Sequence, residues 1–153
     1  MRRALAALAL ALPPAVPLTA AADDLPPPVA AAAARAEASC GSEPTTLEPG
    51  FITRQDVNGD AVPDFILDFA AVQCGDDESA ACGTAGCEMQ VFASTTDGFV
   101  DAFDAVAHDL RFRTVGGRPA VIVDMTGAAC GRSGQDPCGA IAVWNGRTFG
   151  RTR

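Results

Sequence analysis

Along several short stretches of the chain, apolar and polar residues alternate with a period of two, the pattern of strands that bury one face. Phe65, Leu67 and Phe69 point one way and Ile66 and Asp68 the other, while Leu110 and Phe112 alternate with Arg111 and Arg113. Met89-Gln90-Val91-Phe92 leads to Asp97-Gly98, and Ile141-Ala142-Val143-Trp144 leads to Asn145-Gly146, with Phe99 and Phe149 just beyond. Asp-Gly and Asn-Gly pairs favour the primed turns that close hairpins, so both stretches read as hairpins.

The order then repeats. Pro63, Ile66, Asp68, Cys74 and Gly75 return as Pro119, Ile122, Asp124, Cys130 and Gly131, each displaced by 56 positions, and Val121, Val123 and Met125 answer Phe65, Leu67 and Phe69. Cys87 and its apolar strand likewise answer Cys138. A repeat of this kind is one structural unit used twice. The expected fold is all-β, with two duplicated four-stranded antiparallel meanders, about 48–104 and 108–153, forming a small disulfide-stapled sandwich or blade pair.

The first residues follow another pattern. Met1-Arg2-Arg3, an apolar run from Ala4 to Leu12 and the small residues Ala20-Ala21-Ala22 read as a secretory signal peptide over 1–22, cleaved after Ala22. The apolar run is too short to span a bilayer, which takes about 20 residues. Residues 23–39 are rich in Pro and Ala, and short isolated helices are marginal in water, so this stretch reads as a linker. Residues 40–153 then suffice for one domain with one core.

Charge and cysteine content narrow the partners and the compartment. The formal net charge of −8 becomes −10 when the leader takes Arg2 and Arg3 with it, a balance that argues against nucleic acid and anionic membrane surfaces. Six cysteines in a short exported chain read as three disulfides, since the paired C-x-x-C spacings and histidines of a zinc site are lacking. If both halves close the same loop, Cys74 pairs with Cys87 and Cys130 with Cys138, which leaves Cys40 for Cys82. The alternative exchanges partners to Cys74 with Cys82 and Cys40 with Cys87. Loops of this size give about 2–3 kcal/mol each in the chain-entropy model.

The sharpest chemistry lies in Asp56-Val57-Asn58-Gly59-Asp60-Ala61-Val62-Pro63-Asp64, immediately before the strand Phe65-Ile66-Leu67. Hard cations such as Ca²⁺ take six to eight oxygens at about 2.3–2.6 Å, and a tight loop with oxygen side chains at alternate positions supplies many of them. This stretch resembles the calcium loop of the FG-GAP and VCBS repeat families, which are extracellular β-rich modules; the resemblance is confined to 56–69. It implies one calcium ion held by the side chains of Asp56, Asn58, Asp60 and Asp64 and the carbonyl of Val62. Ala61 stands where those families usually have Gly, at a cost of roughly 1 kcal/mol if φ is positive there. Asp68 lies on the same strand face as Asp64 by the two-residue period, placed either to join the site or to orient its waters. In the second half the matching loop is Thr114-Val115-Gly116-Gly117-Arg118-Pro119, without a carboxylate, so one site per chain is expected.

Other residues carry weaker signals. His108, the sole histidine, lies near Asp104 and Asp109, but an ordinary polar loop position accounts for it. No G-x-S-x-G elbow is present, and a thiol nucleophile requires an unpaired cysteine. Asp76-Asp77-Glu78 reads as a solvated loop tip and Trp144 as packing. The function expected is therefore an exported, calcium-stabilised binding or structural module in the periplasm or outside the cell. Its partner would be another exported protein or an envelope component. The alternative is a small secreted hydrolase or thiol-redox protein using His108 or a loop cysteine.

Overall fold

The computed structural model describes residues 25–77, 81–132 and 137–151; the leader expected at 1–22 lies outside them, as do Asp23, Asp24 and Glu78. Helix α1, Pro27–Ala38, comes first. Proline in the opening turn gives up an N–H that has no helical partner there, and alanine has the highest helix propensity. Val29, Ala32, Ala33 and Ala36 fall at i, i+3, i+4 and i+7 and are all buried. The linker expected over 23–39 is corrected accordingly. A helix this short is marginal alone, but α1 packs on Phe65, Leu67 and Phe92 and is part of the domain.

The strands that follow are β1 (Thr45–Leu47), β2 (Ile52–Gln55), β3 (Asp64–Asp68), β4 (Val72–Cys74), β5 (Cys82–Gly83), β6 (Gly86–Thr95), β7 (Gly98–Ala107), β8 (Asp109–Val115), β9 (Arg118–Thr126), β10 (Pro137–Trp144) and β11 (Phe149–Arg151). The fold is mostly β and antiparallel. In the first sheet β2, β3, β6 and β7 are neighbours in that order, and β5 pairs with the opening residues of β6. The second sheet runs β8, β9, β10, β11. Between β8 and β9 the two-residue turn Gly116-Gly117 has φ +59° and +78°, which only glycine adopts without strain.

The two sheets pack as a sandwich. Ile66, Met89 and Val91 of the first meet Leu110, Val121 and Val123 of the second, and Trp144 packs at the margin of this core against Phe149, 5.0 Å between ring centroids. β3 is buried on both faces because Phe65 and Leu67 point at α1 while Ile66 points at the second sheet. The layers are therefore α1, first sheet, second sheet.

All six cysteines are bonded, as Cys40–Cys74, Cys82–Cys87 and Cys130–Cys138. The expected Cys74–Cys87 and Cys40–Cys82 pairs are corrected, and so is the alternative exchange. β1 pairs with β4, placing Thr45 opposite Cys74 and bringing Cys40 within reach, while register sets Cys82 directly opposite Cys87 in its own hairpin. The reasoning from equal loops failed because the N-terminal ribbon of β1 and β4 has no counterpart in the second sheet. In the chain-entropy model the Cys40–Cys74 link, with its separation of 34 residues, is worth roughly 4 kcal/mol against about 2 kcal/mol for Cys82–Cys87.

Docking of α1 predicts a position-specific response. Ala32→Glu places a charge in the contact and should cost roughly 3 kcal/mol or more in urea unfolding, whereas Ala34→Glu on the exposed side should stay within about 0.5 kcal/mol. Equal effects at the two positions would restore the linker.

Candidate metal centre

The loop between β2 and β3 is shaped by its own side chains. Asp56 accepts from the N–H of Gly59 (2.7 Å) and of Ala61 (2.9 Å), Asn58 Oδ1 from the N–H of Asp60 (3.0 Å), and Asp60 Oδ1 from the N–H of Val62 (2.8 Å). Each is a side chain satisfying the backbone just ahead of it, the turn chemistry for which Asp and Asn are favoured. The chain bends sharply enough to require positive φ at Gly59 (+84°) and at Ala61 (+68°), the single non-glycine residue with positive φ among the described residues. Ala61 therefore carries the strain expected of its departure from the Gly pattern.

Asp64 is fully buried and holds this loop to the sheet. Its Oδ2 accepts from the N–H of Val57 (2.7 Å) and of Asn58 (3.2 Å), and its Oδ1 from the N–H of Ser94 on β6 (2.8 Å). The Ser94 hydroxyl lies 2.8 Å from both Asp64 Oδ1 and Asp60 Oδ2, and its single proton serves one of them at a time. Asn58 Nδ2 donates to the Ser94 carbonyl (2.8 Å), which fixes the amide so that Oδ1 faces the loop. Ser94 is thus a residue of the site that sequence reasoning missed; the pairing of Phe65 with Phe92 that brings it to Asp64 is a long-range register with no local signal.

Lone pairs decide which oxygens remain free for a cation. Both oxygens of Asp56, Oδ1 of Asn58 and Oδ1 of Asp60 accept one N–H each and keep one lone pair, and the Val62 carbonyl is an acceptor on the exposed loop. Asp64 is committed to three donors and keeps a lone pair only when the Ser94 hydroxyl turns to Asp60. By lone pairs alone, Asp56, Asn58, Asp60 and the Val62 carbonyl keep acceptor capacity and Asp64 keeps it conditionally. No group of three or more His, Cys, Asp or Glu side chains that could hold a metal converges among the described residues, so Asp56, Asp60 and Asp64 are not drawn together as a preformed cluster.

Asp68 belongs elsewhere. It ends β3, about 13 Å along the strand from Asp64, and its Oδ1 accepts from the N–H of Ala70 to cap the turn Phe69–Ala71. His108 is exposed between β7 and β8, its backbone N–H donating to the Asp124 carbonyl (2.8 Å) and its side chain making no hydrogen bond among the described residues. The loop opposite, Thr114 to Pro119, lies beside the acidic loop: a Cβ on Gly59 would sit 3.3 Å from Pro119 Cγ, and a shallow cleft of about 190 Å³ runs between Asp56 and Arg113.

Electrostatics follow the same network. Burial pulls the Asp60 carboxyl upward, but bonds from the Val62 N–H, the Ser94 hydroxyl and the Asn58 amide outweigh it and hold the group below the usual carboxylate range. Under α1, Asp101 is pushed up by burial and by Asp104, with Arg35 opposing and Glu88 adding. A depressed folded-state value means that Asp60 stabilises the fold above its unfolded value and loses this contribution as pH falls through the folded one. Asp60→Asn should therefore shrink the stability lost between neutral and acid pH in urea unfolding. An unchanged pH dependence would contradict the network.

No family model, curated protein or solved structure matches the chain.

Proposed function

We propose that this is an exported, calcium-stabilised binding or structural module rather than a catalyst, working in the periplasm or outside the cell. The observation that carries the reading is the acidic loop, whose carboxylate and amide oxygens each brace a backbone N–H and still retain acceptor capacity over a backbone strained at Ala61. Asp56, Asn58, Asp60 and the Val62 carbonyl would hold the ion, joined by Asp64 when Ser94 releases it. The ion would supply positive charge among three carboxylates and fix the entry to β3.

Three disulfides support an oxidising compartment, and no helix among the described residues is long and apolar enough to cross a membrane. All six cysteines are paired, so the thiol-redox alternative would require one of the three disulfides to be reduced first. The partner on this reading is another exported protein or an envelope component.

The two sheets are further read as copies of one meander stacked front to back. Phe65 and Leu67 look toward α1, while Val121 and Val123, 56 positions on, look toward the first sheet. The loops at Gly59 and Pro119 also lie side by side, as equivalent loops of stacked copies should.

Calcium should raise the thermal unfolding midpoint of chelator-treated protein, by the equivalent of about 2.7 kcal/mol at one hundred times the Kd. Asp60→Ala should abolish the shift. No shift, or the same shift in the variant, would remove calcium from the account.

A further inference from the structure

β6 has strands on both sides, whereas β7 pairs with β6 alone, and its far edge has no strand partner among the described residues. That edge is ten residues long, against four for β2 at the opposite margin of the sheet. A groove of about 480 Å³ is lined by Asp101, Ala102, Phe103 and Asp104 of β7 and by Thr148 and Phe149. Side chains of consecutive strand residues alternate between faces, so a groove lined by four in a row runs along the edge of β7. From this geometry we infer that the edge receives an added strand: an extended segment of another protein, with lysine or arginine on one face and apolar residues on the other.

β7 specifies both faces of that segment. The carboxylates of Asp101 and Asp104 are exposed and make no ion pair among the described residues. Arg35 is engaged with Gln90 (3.1 Å) and Glu88 (3.9 Å), and Arg147, in the turn before Thr148, pairs with neither. Burial and then the Asp104 charge hold the Asp101 carboxyl above its usual range. A cation on the added strand relieves this repulsion, as cross-strand pairs of opposite charge do. Facing the other way, Phe103 and Ala105 pack at the margin of the core, and Phe103 meets Phe149 edge-on at 6.4 Å, an apolar seat.

The register shift opposite Val91 and Phe92 leaves Ala102 unpaired, so a regular edge runs over residues 103–107, about 17 Å. A second copy is a poor occupant, because edge against edge brings both pairs of carboxylates together. The inference rests on the reading of the chain as a binding module and not on the calcium site, so binding is measured in chelator.

A short fluorescent peptide alternating lysine and valine is titrated with the protein by anisotropy, with circular dichroism confirming that each variant is folded. It should bind at low salt and weaken as salt rises. Methylating the backbone nitrogens of the peptide, replacing its lysines by glutamate, or Asp104→Lys in the protein should each weaken binding by about tenfold or more. Glu48→Lys, the same charge change on the exposed connection from β1 to β2, should leave it unchanged. No binding at low salt, equal binding of the methylated or glutamate peptide, or an equal loss with Glu48→Lys would overturn the proposal.

Discussion

One buried carboxylate joins the parts of this structure that sequence distance keeps apart. Asp64 receives N–H groups from Val57 and Asn58 in the loop and from Ser94 on β6, and it does so with no exposure to solvent. A buried charge is tolerated only where hydrogen bonds replace its water, so loop, β3 and β6 are held in a single arrangement or the charge is stranded. The loop's shape follows from this anchor, and the oxygens it offers a cation follow from the shape. A calcium ion would reinforce a conformation that the backbone bonds already favour.

The apolar layers obey a similar economy of partners. β3 has two buried faces and needs a cover on each: the second sheet provides one and α1 the other. Removing α1 would expose Phe65, Leu67 and Phe92 together, and the Cys40–Cys74 bond keeps its end beside the ribbon of β1 and β4. The second sheet packs its Leu110, Val121 and Val123 face on the first, while on its other face Ile141 is 44% exposed.

Strands were legible in the sequence because alternation is local, and the acidic loop because its side chains brace backbone groups only two to five residues away. Three features were not. α1 buries mainly alanine, so its helical stripe carries little hydrophobic contrast against the exposed alanines beside it. Cys40 and Cys82 could not be assigned because the pairing of β1 with β4 and the tight hairpin of β5 and β6 answer to no repeat. Asp64 looked like a ligand of the same standing as Asp56, but the Val57 and Asn58 N–H groups fill one of its oxygens and the long-range approach of Ser94 engages the other.

The coupling between Asp64 and Ser94 is the most direct measure of this account. In a double-mutant cycle read by urea unfolding at neutral pH, Asp64→Asn should cost about 3 kcal/mol and Ser94→Ala about 1 kcal/mol, with an interaction energy of at least about 1 kcal/mol. Losses that add to within about 0.5 kcal/mol would mean that the two act independently, and the loop would not be anchored as described.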